Sequence, residues 1–348
     1  MQYQYSDRIS GVRPSAIREI LKYAASHPEV IALSTGSPAN EAIPVDEISA
    51  ISARIFRDMP LAGLQYSMTE GYPPLRASTK ERLKKEFGIG RDFDDLIITT
   101  GGQQGLSLTP NVFCNPGDTV VVELPTFVSG INAMRIHGAN VVGVEMDEEG
   151  MELDGLEHAF RTEPNVKLLY VIPTFQNPSG KTMSLARRKA IYELCVKYGV
   201  MILEDNPYGE LRFRGEDIPT FKSMDDEGIV IYNGSYSKVL SAGMRIGFVM
   251  AQKDVLQRLT VAKQFSDCHS NIFFQIVTDE WLKTADVDAH IAKIRKIYRD
   301  RCDFMLKLLD EHMDKRVTYT RPDGGLFLWC TLPEGCDSQE LADLALRK

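Results

Sequence analysis

The sequence has no long apolar run. No stretch approaches the roughly 20 apolar residues that a membrane-spanning helix needs, and residues 1–8 lack the basic start and apolar block of a secretory signal. We therefore expect a cytoplasmic protein with no membrane partner. Basic blocks are also absent, and 40 lysines and arginines against 48 aspartates and glutamates give a net charge of −8. A chain with this balance is not expected to bind nucleic acid, because phosphate binding requires a basic face.

Cysteine is sparse and shows no paired spacing. Most of the six cysteines lie in apolar runs, which is typical of small core residues in a reducing compartment. The pattern indicates neither a disulfide framework nor a zinc site, and we expect no metal. The six are Cys114, Cys195, Cys268, Cys302, Cys330 and Cys336.

Short β-rich runs alternate with helical stretches through the middle of the chain. Seven of these runs are almost continuously apolar, which indicates strands buried on both faces of a sheet covered by helices. The helical stretches at 103–112, 127–137 and 184–198 are long enough to connect parallel strands. We predict an α/β fold whose large domain has a mostly parallel seven-stranded sheet. The predicted strands are 96–100, 119–123, 141–145, 167–172, 200–204, 229–232 and 246–250.

The pattern changes near the end of the chain. Long amphipathic helices follow Asp254, including one predicted over 286–313, and two β-rich runs then flank a Pro-Asp-Gly-Gly turn. A length of 348 residues leaves room for about two domains. We predict a large domain over 45–285 and a smaller α+β domain over 286–348, built from both chain ends. The segment 1–44, with a helix near 15–25, is expected to pack on the smaller domain.

Lys238 lies in an unusual setting. It follows a strand-like run and is surrounded by small, hydroxylic and apolar residues in Ser-Tyr-Ser-Lys-Val-Leu-Ser-Ala-Gly, residues 235–243, with Arg245 just beyond. Such neighbours desolvate an amine and lower its pKa, and a lysine of this kind forms a Schiff base with an aldehyde. The alternative is an ordinary surface lysine beside a turn.

Several other predicted strands also end in residues that could bind a ligand. A glycine-rich turn at 101–105 opens a helix and offers backbone N–H groups to a phosphate. Asp205, Asn177 and Phe127 each follow a strand, at the sheet edge where α/β proteins bind ligands. Each has a structural alternative: tight packing for the glycines, a helix cap for Asp205, a turn for Asn177 and core packing for Phe127. Taken together they match pyridoxal 5′-phosphate (PLP).

Ordered motifs extend this match along the chain from about Ile9 onward. They include Gln176-Asn-Pro-Ser-Gly180, Glu204-Asp-Asn-Pro-Tyr208, Gly234-Ser-Tyr-Ser-Lys238 and Arg321-Pro-Asp-Gly-Gly325. With these motifs the chain resembles the fold-type I PLP enzymes, within them the class I/II aminotransferases, and most of all the 2-aminoadipate and kynurenine aminotransferase branch. The resemblance implies ping-pong transfer of an amino group from an aromatic, 2-aminoadipate or broader range of L-amino acids to a 2-oxo acid, with 2-oxoglutarate the expected acceptor.

The resemblance also implies roles for individual residues. Lys238 matches the lysine that bonds to the cofactor aldehyde and then moves the substrate proton. Asp205 matches the carboxylate that keeps the pyridine nitrogen protonated, and Tyr208 and Asn177 match the pair that hydrogen-bonds the phenolic oxygen. Phe127 matches the ring stacked on the cofactor. The phosphate site matches Gly101, Gly102, Gln103, Ser235, Ser237 and Arg245.

Three more residues are implied at the substrate and the partner subunit. Tyr66 matches a tyrosine that reaches the phosphate of a neighbouring subunit, which implies a homodimer with shared active sites. Gly36 and Asn177 match positions that line the substrate pocket. Arg18 matches a helix residue that meets acidic substrate side chains in aminoadipate-type members, although a solvated arginine on a helix face explains it equally well.

Two departures from the family pattern limit these expectations. The phosphate turn reads Gly101-Gly-Gln-Gln104 where the family commonly has Gly-Ser-Gln-Gln, so one hydroxyl donor is missing. The sequence ends at Lys348 inside a helix predicted to begin at the capping box Asp337–Glu340, and no residue matches the family's arginine for the substrate α-carboxylate. A PLP-dependent C–S β-lyase, an effector-binding domain without catalysis and an inactive cofactor-binding shell are the alternatives.

Overall fold

A computed structural model describes residues 3–10, 12, 23, 26, 27, 29, 33 and 36–346. Arg18 and most of the helix expected near 15–25 lie outside the described residues. No helix in the described part of the chain is both long enough and apolar enough to cross a membrane.

The central feature is an eight-stranded sheet covered by helices on both faces. Its strand order is β1-β8-β7-β6-β5-β2-β3-β4, and the pairings among β7, β6, β5, β2 and β3 are all parallel. The strands are β1 (Asp94–Thr100), β2 (Thr119–Leu124), β3 (Asn140–Asp147), β4 (Gly150–Met151), β5 (Val166–Val171), β6 (Met201–Asp205), β7 (Val230–Ser235) and β8 (Ile246–Gln252).

All seven predicted strands are present, and the predicted α/β class and mostly parallel sheet are confirmed. The number of strands differs, because Gly150 and Met151 turn back and pair antiparallel with the end of β3. A two-residue strand of this kind has no apolar run that could reveal it in the sequence. The burial pattern also matches the prediction: Val120 and Val122 lie in one core cluster, and Val121 between them lies in the other.

Helices cover the sheet and make up much of the remaining chain. The long helix α11 (Val287–His312) carries the predicted apolar face with Ile291, Ile294 and Tyr298 buried. The helices whose bounds lie within the described residues are α1 (Asp7–Ser10), α2 (Val45–Asp58), α3 (Pro60–Leu64), α4 (Pro73–Phe87), α5 (Gly102–Phe113), α6 (Val128–Arg135), α7 (Leu153–Thr162), α8 (Leu185–Tyr198), α9 (Lys253–Ser266), α10 (Ile272–Thr284), α11 (Val287–His312) and α12 (Ser338–Leu346).

The strand pair predicted near the end of the chain is present but short. Only β9 (Thr318–Tyr319) and β10 (Cys330–Thr331) pair, in antiparallel register. The backbone N–H of Ala39 donates to the Tyr298 hydroxyl of α11 at 3.3 Å. This contact joins the N-terminal segment to α11. The packing of residues 1–44 on a smaller domain and the domain boundaries at 44 and 285 stay predictions.

The direction of β8 brings distant parts of the chain to one edge of the sheet. Residues 236–245 connect β7 to β8 without a crossover helix, so β8 runs antiparallel to both β7 and β1. The start of β8 therefore lies beside the ends of its neighbours, with Ser235 opposite Gly247 and Thr100 opposite Ile246. The ends of β2, β5 and β6 point the same way, because these strands are parallel to β7.

Candidate active site

The glycine turn after β1 and the guanidinium of Arg245 are in direct contact. Gly101 has a φ of +69°, and a Cβ added there would lie 2.7 Å from the guanidinium carbon of Arg245. A Cβ on Gly247 would lie 2.6 Å from the carbonyl carbon of Gly101. Only glycines allow this close approach, which places an arginine beside the N-terminus of α5. Both features attract an anion.

Hydroxyl groups extend this contact. Arg245 Nη1 donates to Ser237 Oγ at 3.4 Å, and Ser235 Oγ donates to Ser237 Oγ at 2.8 Å. Among the described residues no carboxylate forms an ion pair with Arg245. The predicted phosphate-site residues Gly101, Gly102, Ser235, Ser237 and Arg245 are therefore brought together. Gln103 is exposed, and its amide donates to the carbonyl of Ser129 at 3.2 Å.

Asp205 lies buried at the tip of β6 with two neutral hydrogen-bond donors. Asn233 Nδ2 donates to Oδ1 at 2.8 Å, and the Tyr170 hydroxyl donates to Oδ2 at 3.1 Å. The pKa of Asp205 is raised to about 6, because burial outweighs the lowering by Asn233, Tyr170 and Lys238. The helix-cap alternative is excluded because the carboxylate bonds to side chains of neighbouring strands. At neutral pH a mostly ionised carboxylate in this position favours a cationic partner.

Lys238 lies in the connection between β7 and β8 and points inward. Its Nζ donates to the carbonyl of Gly36 at 2.9 Å and lies 6.0 Å from the centroid of the Tyr208 ring. Desolvation, with a smaller contribution from the charge of Arg245, lowers the pKa of this amine. An ordinary surface lysine has none of these properties. The amine is therefore easier to deprotonate than that of a solvated lysine.

Tyr208 and Asn177 are also brought together. Asn177 Nδ2 donates to the Tyr208 hydroxyl at 3.4 Å, and desolvation raises the pKa of the buried Tyr208 phenol. Phe127 is half-buried, packs against the main core and directly precedes α6. Phe127, Asn177 and Tyr208 therefore follow the ends of β2, β5 and β6, respectively.

Gly36 forms one wall of the space around the Lys238 amine. Its φ is +56°, and a Cβ added there would lie 2.6 Å from Cζ of Phe327. The Phe327 ring meets Tyr208 edge-to-face, with centroids 5.5 Å apart. Two aromatic rings therefore line the approach to Lys238.

Tyr66 lies apart from the other predicted site residues. Its side chain is 83% exposed and makes an edge contact with the His269 ring at 5.8 Å. Within one chain it therefore contributes nothing to the space around Lys238.

Sequence reasoning missed Asn233, Tyr170 and Phe327. Asn233 and Asp205 are register partners on parallel strands, and Asn233 Nδ2 also donates to the carbonyl of Gly102 at 3.1 Å. The polar residue inside the apolar run 229–235 is the one signal that could have indicated Asn233. Nothing local indicates Tyr170, because a tyrosine in a buried strand is ordinary core.

The described residues fit PLP. The guanidinium of Arg245, which has no carboxylate partner among these residues, and the side-chain-free turn suit a phosphate. The buried carboxylate with only neutral donors suits a protonated ring nitrogen. The desolvated amine of Lys238 suits an aldehyde. With the mostly parallel sheet, this combination defines the class of fold-type I PLP-dependent enzymes.

The chain belongs to the aminotransferase class I and II family, whose model matches residues 28–347. Aromatic-amino-acid aminotransferase 1 of Thermococcus litoralis is 40% identical over 348 residues, which cover 99% of this chain and 83% of the relative. We conclude that the protein is a PLP-dependent aminotransferase, and this conclusion is favoured over the lyase and effector-domain alternatives.

Solved structures support the same conclusion. The Pyrococcus horikoshii kynurenine aminotransferase, crystallised with PMP, matches with a TM-score of 0.94 and 38% identity over 99% of this chain and 85% of that chain. LysN, an alpha-aminoadipate aminotransferase of Thermus thermophilus complexed with N-(5'-phosphopyridoxyl)-L-leucine, matches with a TM-score of 0.89 and 36% identity, covering 99% and 85%.

Proposed function

We propose that the enzyme transfers the amino group of aromatic L-amino acids to 2-oxoglutarate by a ping-pong route, with 2-aminoadipate among a broader range of further donors. The aromatic lining beside Lys238 is the observation that supports this donor class. The rings of Tyr208 and Phe327 meet edge-to-face, and Gly36 adds no side chain to the space between them and the amine. A flat apolar side chain packs favourably against such rings.

The residues that would hold the cofactor follow from the contacts above. When bound, PLP supplies an electron sink for the electrons of the substrate Cα–H bond. Arg245, with Ser237 and the turn at Gly101, would bind the phosphate, and Asp205 would hold the proton on the ring nitrogen. Asn177 and Tyr208 would face the phenolic oxygen. The remaining expected contacts are Gly102, Gln103, Phe127 and Ser235.

Lys238 is the proposed proton carrier. A general base works best when its pKa lies near the working pH, and burial lowers the pKa of this amine toward that range. The carbonyl of Gly36 accepts its hydrogen bond at 2.9 Å and orients the amine. Lys238 would then take the proton from the substrate Cα.

The active form is proposed to be a homodimer. An apolar surface on α2, α3 and the following loop is exposed in the single chain, although exposed apolar area of this extent is usually covered in an assembly. Tyr66 projects from the same region, which supports its proposed role at the phosphate of the partner subunit. The exposed apolar residues are Phe56, Met59, Leu61, Leu64 and Met68.

An amino-donor panel tests the proposed reaction. The purified protein is incubated with PLP, 2-oxoglutarate and single amino acids, and glutamate and the new oxo acid are quantified. Aromatic donors should give the highest kcat/KM, and Lys238→Ala should abolish turnover. Ammonia and pyruvate formed without an oxo acid would instead indicate a lyase.

Light scattering of the wild type and of Tyr66→Phe tests the dimer, which both proteins should form. Tyr66→Phe should bind PLP more weakly than the wild type does.

A further inference from the structure

A buried carboxyl group lies beside the site and has no role in the proposed reaction. Glu123, near the end of β2, is 1% exposed. Its Oε2 accepts hydrogen bonds from the backbone N–H of Ile172 at 3.0 Å and from Gln176 Nε2 at 3.3 Å. No lysine or arginine in the described part of the chain forms an ion pair with it. Burying a carboxyl group costs free energy that its hydrogen bonds must offset, so its position indicates a structural or functional role.

The Gln176 side chain uses its full hydrogen-bonding capacity. Besides Glu123, its Nε2 donates to the carbonyl of Pro125 at 2.7 Å. Its Oε1 accepts from the backbone N–H of Ser179 at 2.9 Å and from Ser179 Oγ at 2.7 Å. With both amide hydrogens and both acceptor positions occupied, the side chain has one allowed orientation. It therefore holds the end of β2 against the loop that follows β5.

Both segments that Gln176 joins carry proposed cofactor contacts. Asn177 is the next residue in the chain and lies between Gln176 and Ser179, the two ends of this hydrogen-bonded loop. Pro125 comes two residues before Phe127. Neither Glu123 nor Gln176 forms a hydrogen bond with Tyr208 or Lys238. Any effect of these two residues on the reaction must therefore pass through their neighbours.

We propose that Glu123 and Gln176 are positioning residues for the transamination: Glu123 anchors the Gln176 amide, and Gln176 sets the Asn177 amide against the Tyr208 hydroxyl and fixes the strand exit that leads to Phe127. The proposal rests on the proposed roles of Asn177 and Phe127 at the cofactor.

The charges around Glu123 agree with an anchoring role. Burial and, to a smaller extent, the charge of Asp205 on β6 raise its pKa to about 8, and they outweigh the lowering by Ile172, Gln176 and Arg188 of α8. The Tyr170 hydroxyl on β5 is the other titratable group that faces both carboxyls. Near neutral pH Glu123 is therefore mostly uncharged, and the negative charge at this end of the sheet is held by Asp205.

Gln176→Leu tests the positioning role through the cofactor rather than through turnover. The pH midpoint of the visible absorption band of bound PLP is measured in Gln176→Leu, Asn177→Ala and the double variant. An amide donor favours the ionised form of the oxygen it faces, so both single variants should move the midpoint to higher pH. We expect about tenfold weaker PLP binding in Gln176→Leu. The midpoint of the double variant should match that of Asn177→Ala, because Gln176 acts on the phenolic oxygen through that residue.

Glu123 gives a second, independent pair of variants. Glu123→Gln keeps an oxygen acceptor and should retain the wild-type midpoint and PLP affinity, whereas Glu123→Leu removes the acceptor and should reproduce Gln176→Leu. Glu204 is the matched control: it is equally buried and accepts from the backbone N–H groups of Phe221 and Lys222. Glu204→Leu should lower the thermal unfolding temperature of the apo-protein but leave the midpoint unchanged.

The outcomes separate this inference from the proposed function. An unchanged midpoint in Gln176→Leu beside a shifted one in Asn177→Ala would overturn the positioning role alone. A midpoint shift in the double variant that equals the sum of the two single-variant shifts would overturn the positioning role as well. An unchanged midpoint in Asn177→Ala would refute the proposed role of Asn177 itself, and the positioning proposal would fall with it.

Discussion

The side-chain amide of Asn233 donates one hydrogen bond to the carboxylate of Asp205 at 2.8 Å and another to the carbonyl of Gly102 at 3.1 Å. One residue of β7 therefore connects the proposed ring-nitrogen contact with the turn of the proposed phosphate site. The two ends of the cofactor site cannot shift independently while these bonds hold.

Replacing Asn233 should therefore weaken both ends of the site. Asn233→Ala removes a donor to a buried charged group, which typically contributes about 1.5–3 kcal/mol, so kcat/KM should fall about 10- to 100-fold. Apo-protein titration with PLP should show a higher Kd in parallel. Tyr232→Phe serves as the control, because its hydroxyl accepts from Asn206 and does not touch Asp205. An equal loss in Tyr232→Phe would contradict a specific role for Asn233.

Asp205→Asn should stabilise the apo-protein while removing cofactor binding. The pKa of Asp205 is raised to about 6 by burial, above that of an unfolded chain, so folded protein holds this proton more tightly. The free energy of unfolding of the wild type should consequently fall as pH rises from about 4 to about 6, and stay reduced above that interval. Asparagine has no such titration.

Thermal unfolding of both apo-proteins over this pH range provides the measurement. The Tm of Asp205→Asn minus that of wild type should increase with pH and then level off. The exposed Asp226→Asn serves as the control and should show a flat difference. If the Tm difference between Asp205→Asn and the wild type also did not change with pH, the pKa of Asp205 would not be raised.

Arg245→Ala should discriminate between PLP and pyridoxal, which lacks the phosphate. Loss of charge-assisted hydrogen bonds to a phosphate should raise the Kd for PLP about 10- to 100-fold. The Kd for pyridoxal should hardly change, and both dissociation constants should stay near their wild-type values in Arg316→Ala, a surface arginine paired with Asp314. Similar losses for the two ligands would mean that Arg245 does not bind the phosphate.

Gly36→Ala should alter the choice of amino donor. The new methyl group would lie 2.6 Å from Cζ of Phe327, so this ring, which lines the approach to Lys238, must move. The kcat/KM for phenylalanine should fall more than that for alanine, and Gly36→Ala/Phe327→Ala should recover part of the loss.

Gly88 provides a control for backbone strain. Its φ of +65° is similar to that of Gly36, but an added Cβ would meet no atom within 4 Å. Gly88→Ala should lower Tm by a comparable amount and leave the ratio of the two donors unchanged. A changed ratio in Gly88→Ala would attribute the effect to strain instead.

The sequence was most informative where the chemistry is local. Lys238, Asp205 and the Gly101 turn each follow an apolar run, so the end of a strand could be inferred from a few residues. Asn233 and Tyr170 depend on which strands are neighbours and in which register, and this information is spread over more than sixty residues of chain. The short strand β4 is not predicted, because two residues carry no periodicity.

The reversal at β8 has a consequence for how the cofactor would be retained. Lys238 and Arg245 belong to the same ten-residue connection, residues 236–245, so the covalent attachment and the ionic attachment would share one short tether. A protease cut between them would leave each group on a separate fragment. The intact connection would hold the aldehyde end and the phosphate end of the ligand at a fixed distance from each other.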